Sequence, residues 1–229
     1  MLDQTTIRGR LVAAAMKLAG ECPWKDVTLA QIAESAGVSL VDVRKEFASK
    51  NEILAAFVRS VDDAVLARAP HRGGGQAARD ALFEVIMSRF DVLAAYKPAL
   101  RSIAETWSLD PALACAVGRS QPWMLRAAGI RADGLDGQVR AAGLGALYAS
   151  VYRTWLKDDD PGLSKTMAAL DQRLRRGEQA LQRMDSVFGK LCGFAKSCCD
   201  AAKKRSARTT PASEPGADGA TPVPPGAPS

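Results

Sequence analysis

Apolar residues between positions 28 and 57 recur at the spacing of helix faces and predict three short helices in close succession. In the first helix the apolar positions repeat at intervals of three and four residues. Val43 and Phe47 continue this spacing in the second helix. Two short helices joined by a tight turn form a supersecondary unit that many proteins use to read DNA. The apolar face of the first helix consists of Leu29, Ile32, Ala33 and Ala36.

Turn and cap residues at the predicted helix ends support this interpretation. Thr28 and Gln31 have the spacing of a capping box. Gly37 can adopt the left-handed conformation that a sharp reversal of the chain requires. Ser39 is placed to cap the second helix and Ser49 to cap the third. The local signals therefore agree on a helix-turn-helix.

The remainder of the chain shows helical periodicity interrupted by breaker residues, and no alternating run is long enough to predict a sheet. We therefore predict an all-α fold. Asp-Pro pairs at 110–111 and 160–161 combine a cap with a proline suited to the first helical turn. The predicted helices span 50–69, 76–96, 98–107, 111–128, 137–157, 161–182 and 184–205, with breaker segments at 70–75 and 129–137.

The positive charge of the chain is unevenly distributed. A formal net charge of +6 and a pI near 9.2 are typical of proteins that bind polyanions. Through residue 65, however, eight lysines and arginines are balanced by nine aspartates and glutamates. Between 183 and 208, seven basic residues stand against two acidic ones. Most of the excess charge lies far from the helix-turn-helix, so net charge alone does not predict nucleic-acid binding.

Cysteine and histidine usage argues against metal binding and catalysis. The five cysteines show no paired framework, and the single histidine, His71, lies in a glycine-rich loop. We expect no metal, no cofactor and no enzymatic activity, because serine and cysteine triads require a histidine. No stretch approaches the roughly 20 apolar residues that span a bilayer, and no secretory signal precedes the first helix. A cytoplasmic location fits these observations, with or without peripheral contact at the inner membrane face.

The helix-turn-helix segment resembles the N-terminal domain of the TetR family of bacterial regulators. The run Thr-Leu-Ala-Gln-Ile-Ala-Glu-Ser-Ala-Gly-Val-Ser from Thr28 carries the likeness, and Arg8 to Leu18 is similar to the first helix of the family. The resemblance implies a head that binds double-stranded DNA and a helical body that binds a small ligand and forms a homodimer. We accordingly divide the chain into a helix-turn-helix domain (1–50), a ligand-binding and dimerisation domain (51–183), an amphipathic basic helix (184–206) and a disordered tail (207–229).

The second helix of the unit departs from the family pattern on its outward side. Where the family usually has Lys-Gly-Thr-Leu-Tyr-Arg-His-Phe, this chain has Leu-Val-Asp-Val-Arg-Lys-Glu-Phe at 40–47. Asp42 and Glu46 place negative charge opposite a polyanion, and Val41 stands where glycine permits close approach to phosphate. Acidic side chains can also accept from a cytosine amino group, so specific reading stays open. The residues that the resemblance places at the DNA are Thr28, Ser39, Leu40, Asp42, Arg44, Lys45 and Lys50.

The last two long helices of the body correspond, by position, to the dimer helices of the TetR family. Small residues at Gly143, Ala146 and Ser150 would let two helices approach closely. The alternative is that the same faces pack within one chain. The residues assigned to the dimer interface are Leu144, Leu147, Val151, Leu163, Leu170 and Leu174.

Large apolar side chains of the body are candidates for lining a pocket for a hydrophobic small molecule or lipid. Polar groups are few among them, which favours a hydrophobic ligand. Aromatic and methionine side chains at helical spacing also occur as plain core, and this alternative stays open. The candidates are Phe83, Met87, Phe90, Trp107, Trp123, Met124, Tyr148 and Tyr152.

A second resemblance concerns the stretch 152–174, which is similar to the ubiquinone-biosynthesis accessory lipid-binding proteins of TetR fold. It implies an isoprenoid-lipid pocket and a terminal amphipathic helix at a membrane. An apolar stripe flanked by lysines, as in 184–205, can lie in a membrane interface, or it can cap the body's core. The membrane-facing candidates are Val187, Phe188, Leu191, Lys190 and Lys196.

Two functions follow from these patterns. The first is a ligand-responsive transcriptional regulator of the TetR type that binds DNA through its head. The alternative is a lipid-binding, membrane-associated accessory protein that has kept the fold and lost DNA binding.

Overall fold

The computed structural model describes residues 3–69, 77–106 and 111–180, all within one compact unit, Met1–Ala180. Throughout these ranges the regular structure is helical, in agreement with the predicted all-α fold. The helices are α1 (Ile7–Glu21), α2 (Leu29–Ala36), α3 (Leu40–Glu46), α4 (Lys50–Arg68), α5 (Ala78–Ala94), α6 (Lys97–Thr106), α7 (Pro111–Ala127), α8 (Gly134–Leu156) and α9 (164–180), with a 3-10 turn at Trp24–Asp26.

The helix-turn-helix forms as the cap residues predict. Thr28 and Gln31 make both bonds of the capping box at the start of α2. Gly37 ends α2 with φ of 63°, a left-handed conformation that a β-carbon would strain. The Ser39 side chain accepts a hydrogen bond from the backbone N–H of Asp42, and the Ser49 side chain accepts one from the N–H of Glu52. Each helix of the unit therefore begins at a side-chain cap.

Helices α1, α2 and α3 enclose a small core that forms the head of the molecule. Leu11 and Ile32 have no exposed surface, and Val43 and Phe47 are 2% exposed. The inward positions predicted for α3 are thus the ones that pack. The outward face of α3 is left to solvent.

Helix α4 joins the head to a larger helical body. It packs against α1 on one side and against α5 and α7 on the other. Its buried residues include Ile53, Phe57, Val61 and Val65, so an apolar stripe runs most of its length. A displacement of α4 within the body would therefore also move the head.

The core of the body is an aromatic stack between α5 and α8. The Phe90 ring centroid lies 5.7 Å from that of Tyr148 and 5.3 Å from that of Trp155. Phe90 and Trp155 have no exposed surface. Stacked rings at these separations stabilise a core beyond the area that they bury.

Two helix starts differ from the predictions. The predicted loop 129–137 ends earlier, because α8 begins at Gly134 after the extended residue Asp133. The predicted helix at 161–182 begins instead at 164, since the Asp160 carboxylate accepts from the N–H groups of Gly162 and Ser164, at 3.1 Å each, and holds the chain in a turn.

The acidic run 158–160 is in part buried. Asp158 is 1% exposed, and its Oδ2 accepts from the backbone N–H of Thr166 at 2.8 Å and from the Thr166 hydroxyl at 2.7 Å. It therefore satisfies backbone donors at the start of α9. Hydrogen bonds from the Thr166 hydroxyl and from the backbone N–H groups of Thr166 and Asp160 lower the pKa of Asp158, whereas burial acts to raise it.

Several predictions fall outside the described residues. These include the basic helix at 184–206 with its membrane-facing candidates, the tail at 207–229, His71 and Trp107. In the ranges that the structure does describe, none of the helices has the length and apolar content needed to cross a bilayer.

Candidate DNA-binding face and body cavity

The outward face of α3 presents two apolar and two basic side chains. Leu40 is 57% exposed and Val41 is 64% exposed, and Arg44 and Lys45 are also exposed. Val43 faces the core from the same helix. The basic side chains can contact base edges and phosphates, and the apolar ones gain nothing from exposure to water.

The two acidic side chains of α3 are neutralised by neighbours. The Asp42 carboxylate accepts from the Ser39 hydroxyl at 2.6 Å and from the Lys45 Nζ at 3.0 Å. The hydrogen bond from Ser39 and the pairing with Lys45 lower the pKa of Asp42. Glu46 Oε2 lies 3.5 Å from Nη1 of Arg8 on α1. The repulsion expected from these acids is therefore largely compensated within the head.

Arg8 also anchors the end of α3 by a second contact. Its guanidinium carbon lies 4.4 Å from the centroid of the Phe47 ring, and Nη1 donates to the Glu46 carbonyl at 3.3 Å. Sequence patterns gave Arg8 no role beyond the first helix. Its contact with α3 depends on the packing of α1 against α3, which sequence patterns do not show.

Lys50 does not occupy the position expected of a phosphate contact. Its Nζ donates to the carbonyls of Trp24 at 2.9 Å and Val27 at 2.5 Å, and lies 4.8 Å from the centroid of the Trp24 ring. Burial lowers the pKa of Lys50, while the charge of Asp26 works in the opposite direction. This ammonium group ties the chain before α2 to the start of α4, and its assignment to the DNA stays a prediction.

The remaining predicted contact residues lie around the same face. Thr28 is exposed, but its hydroxyl donates to Gln31 Oε1 at 2.9 Å as part of the cap. The hydroxyl of Ser39 is likewise used within the head. Arg44 makes no hydrogen bond or ion pair with any part of the chain that the structure describes, which leaves its guanidinium free to reach outward.

A cavity of about 380 Å³ lies in the body beside α4. Its walls come from α4, α5, α6, α7 and α8 and are mainly apolar, with Phe57, Leu93 and Ile103 among the lining residues. Arg89 and Tyr148 also line it. This volume is within the range of small-molecule sites in proteins.

One wall of the cavity is a buried polar network that joins four helices. Arg89 of α5 is 2% exposed and pairs through Nη1 with the carboxylate of Asp62 of α4. The same guanidinium donates to Ser120 Oγ of α7 at 2.8 Å and to the hydroxyl oxygen of Tyr148 of α8 at 3.1 Å. The Ser120 hydroxyl donates to Asp62 Oδ1 at 2.6 Å. Each charge in this wall therefore has a partner, as buried charges require.

Burial and neighbouring groups shift the pKa values of Arg89, Tyr148 and Tyr152. Burial opposes the charged form of Arg89, but the neighbouring Tyr148 and the Asp62 carboxylate outweigh it and raise the pKa of Arg89. Burial raises the pKa of the Tyr148 phenol against the effect of Arg89, and burial also raises that of Tyr152. At neutral pH Arg89 therefore stays a cation, and the phenols of Tyr148 and Tyr152 stay neutral.

Comparison with known protein families gives a match for the N-terminal part of the chain. Residues 11–57 match the family model described as bacterial regulatory proteins, tetR family. This match concerns the helix-turn-helix head of the chain. The matched segment covers α2, α3 and most of α1, with the beginning of α4.

Solved structures of TetR transcriptional regulators share the fold. One from Nitrosomonas europaea has a TM-score of 0.60 at 24% identity and covers 75% of this chain and 97% of its own. One from Rhodococcus sp. RHA1 has a TM-score of 0.58 at 19% identity, with coverages of 76% and 96%. None of the curated proteins matches the chain. The similarity to ubiquinone-biosynthesis accessory proteins therefore stays a prediction.

The residues assigned to the TetR-type dimer interface lie mostly inside the single chain. Leu144, Val151, Leu170 and Leu174 are at most 6% exposed and belong to its own core, so the intramolecular alternative describes them. Leu147 and Leu163 are half-buried, and Leu163 has a left-handed φ of 51° just before α9. The exposed side of the same two helices carries Leu135, Val139, Gly143, Ala146 and Met167.

Of the predicted pocket residues, the structure brings Tyr148 and Tyr152 to the cavity. Phe90 and Met124 have no exposed surface and fill the core instead. Phe83 and Met87 are half-buried and line other parts of α5.

Trp123 is 51% exposed and borders an open cleft on the far side of Ser120. The Arg126 guanidinium stands 5.0 Å from its ring. Neither residue reaches the cavity.

Three residues of the polar network, Asp62, Arg89 and Ser120, were missed by sequence patterns. Asp62 and Arg89 fall on the otherwise apolar stripes of α4 and α5. A charged residue on the buried face of each of two helices is a signal that could have indicated a buried ion pair.

Proposed function

We propose that this TetR-type transcriptional regulator binds operator DNA as a homodimer, with α3 in the major groove, and that a small molecule in the body cavity changes its DNA affinity. The observation that carries the proposal is the outward face of α3 on a packed helix-turn-helix head. Its acids are paired with Lys45 and Arg8, and Arg44 is exposed.

The exposed side chains of α3 suit a mixed mode of base reading. Arg44 can donate to guanine, and Leu40 and Val41 can contact thymine methyl groups. Lys45 is shared with Asp42 and would contribute less charge to phosphate binding. We therefore expect specific affinity to come from base contacts more than from phosphate contacts.

Dimerisation is supported by the exposed apolar side of α8. Leu135 is 79% exposed and Val139 is 49% exposed, and Gly143 and Ala146 continue the same face. Two heads are needed to read two half-sites one helical turn apart. A second copy packed against this face would cover apolar surface that a lone chain leaves in water.

A ligand can act on the heads only through different contacts in two states of the protein. Helix α4 provides the route, because Phe57 and Val61 line the cavity and Ile53 lies near the start of the same helix. A molecule in the cavity that shifts α4 would change the spacing of the two heads in the dimer.

DNA binding is tested by fluorescence anisotropy with the promoter region of the protein's own operon at 50 to 300 mM salt, a range chosen because phosphate contacts weaken steeply across it. We expect binding at low salt, and a loss of roughly 5- to 150-fold for Arg44→Ala, since a good base contact is worth about 1–3 kcal/mol. Arg176→Ala, an exposed arginine on α9, is the control and should leave binding unchanged. Absence of retention by the wild-type protein at low salt would overturn the proposal.

A further inference from the structure

The charged groups that line the body cavity are all cationic. Arg89 and Arg153 line it together with Tyr148 and Tyr152, and no carboxylate belongs to the lining that the structure describes. The rest of the lining is apolar. An occupant that matches this wall has an apolar body and a negatively charged group.

We propose that the cavity binds an apolar carboxylate, and that its carboxylate group competes with Asp62 for the guanidinium of Arg89. This inference rests on the proposed ligand-responsive function and names the chemical class of the ligand and the contact that it changes. Arg89 is the anion-binding group, and Arg153 at the exposed edge of the cavity attracts the anion.

The size of the cavity limits the body of the ligand. At about 30 Å³ for each water-sized group, 380 Å³ holds on the order of a dozen non-hydrogen atoms. A ten-carbon chain or a two-ring aromatic acid has this size. Phe57, Leu93 and Ile103 supply the apolar surface that such a body would cover.

Arg89 has donor capacity left for an anion. Its recorded bonds to Asp62 and Ser120 run through Nη1, and its bond to Tyr148 runs through Nε. Nη2 donates to none of the residues that the structure describes. Because the guanidinium fork binds a carboxylate best through two parallel hydrogen bonds, a ligand carboxylate has a free donor from which to start.

The two partners of the buried pair differ in their access to water. The Arg89 side chain is 3% exposed, whereas that of Asp62 is 11% exposed. Asp62 and Ser120 also line the open cleft on the opposite side of the wall. A displaced Asp62 carboxylate can therefore be hydrated from the cleft, while Arg89 cannot remain without an anion. This asymmetry makes exchange of one carboxylate for another feasible.

Replacement of the Asp62 carboxylate at Arg89 requires a ligand with a negative charge. A neutral ligand leaves the pair of Arg89 and Asp62 intact, because it offers no replacement for the carboxylate. A cationic ligand meets two arginines. Only an anion can release Asp62, and Asp62 belongs to α4, the helix that enters the head.

The first test is isothermal titration of the full chain with matched probes. Decanoate, decanol and decylammonium share one body, and 2-naphthoate and 2-naphthylmethanol share another. We expect at least one acid to bind about tenfold more tightly than its alcohol, the effect of one charge-assisted hydrogen bond, and decylammonium to bind most weakly. Equal binding of acids and alcohols, or no binding of either acid, would overturn the inference.

Asp62→Asn tests the competition directly. It removes the competing charge but keeps the shape, so acid affinity should rise about tenfold, as expected for one charged hydrogen bond, while alcohol affinity stays unchanged. A purely structural role for Asp62 would instead weaken the binding of both probes. Arg153→Gln should lower acid affinity several-fold, with Arg176→Gln as the matched exposed control. A fall in acid affinity on Asp62→Asn would contradict the proposal.

The binding tests need no DNA, so the two proposals fail separately. Acid binding without any DNA retention would leave this inference intact and remove the regulatory function. DNA retention without acid preference would do the reverse. If both hold, decanoate or 2-naphthoate should change the DNA affinity of the wild-type protein, and Asp62→Asn should reduce that change.

Discussion

Arg89 on α5 pairs with Asp62 on α4, and the pair lies between the body cavity and the open cleft. The linking helix is therefore held to the body by a charge as well as by apolar packing. Ser120 and Tyr148 add α7 and α8 to the same contact. The Arg89 guanidinium on α5 thus binds side chains of α4, α7 and α8, and its displacement would disturb all four helices.

Removal of Arg89 alone should destabilise the protein strongly. Arg89→Met leaves Asp62 in a mostly buried place without its cation, so we expect a loss of about 3 kcal/mol in the free energy of unfolding. Replacing both residues, as in Asp62→Leu with Arg89→Met, should recover much of this loss. Urea denaturation followed by circular dichroism measures both variants.

The exposed ion pair of Arg101 and Asp159 provides the control for that experiment. Their side chains are 41% and 78% exposed. Removing either charge should change stability by less than about 1 kcal/mol, because water screens the pair. A loss as large as that of Arg89→Met would show that burial is not the deciding factor.

Lys50 should behave as a structural residue and Arg44 as a DNA contact. Lys50→Met deletes the bonds to two backbone carbonyls, and we expect a loss of about 1–2 kcal/mol in stability, since the group is half-buried. The slope of log affinity for DNA against log salt should stay unchanged.

Arg44→Ala should show the opposite pattern, with unchanged thermal stability and weaker DNA binding. Anisotropy titrations at several salt concentrations, together with thermal melts, separate the two effects. A reduced salt slope for Lys50→Met would mean that its ammonium group leaves the carbonyls to meet phosphate.

Asp158 should make the protein sensitive to acid. Its pKa is lowered in the folded chain, chiefly by the Thr166 side chain, from an ordinary value of 3.8. As the pH falls through 3.8 the unfolded chain takes up the proton first, so stability is lost from there down to the folded pKa. Above that window the full contribution is present.

Asp158→Ala should therefore lower stability at pH 7 by about 1–2 kcal/mol, as for other helix caps, and should flatten the further loss below pH 4. Asp91→Ala, an exposed position on α5, is the control. Thermal melts between pH 3 and 7 give both results. An unchanged acid profile in Asp158→Ala would assign the sensitivity to other carboxylates.

Ala146 should decide whether the exposed side of α8 forms a dimer. Ala146→Arg places a long cation on this face, and because the position is exposed, the fold of the single chain should not change. We expect a shift from dimer to monomer in sedimentation velocity, with unchanged circular dichroism. Ala94→Arg at the exposed end of α5 should have no effect on the mass. A dimer that survives Ala146→Arg would place the interface elsewhere.

The head could be predicted in detail from sequence because its signals are local. A capping box such as that of Thr28 and Gln31 depends on residues three apart, and Gly37 acts within one turn. The periodicity that placed Val43 and Phe47 inward is equally short-ranged. Such features fix the helix starts before any long-range contact is known.

The cavity could not be predicted in the same way because it depends on which helix faces meet. Phe90 and Tyr148 have the same apolar character in sequence, yet one fills the core and the other reaches the cavity. Leu144 and Val151 were assigned to a second copy for the same reason. Hydrophobic spacing identifies a buried face, but it does not say whether the neighbour is the same chain or another.

The contact of Arg8 with Glu46 and Phe47 fixes the first helix of the head against the last turn of the third. The reading helix therefore cannot tilt by itself without breaking an ion pair and uncovering an aromatic ring. A movement of α4 in the body should therefore rotate α1, α2 and α3 as one unit. Substitution of Arg8 should loosen the packing of α3 against α1 without changing the side chains that α3 presents to solvent.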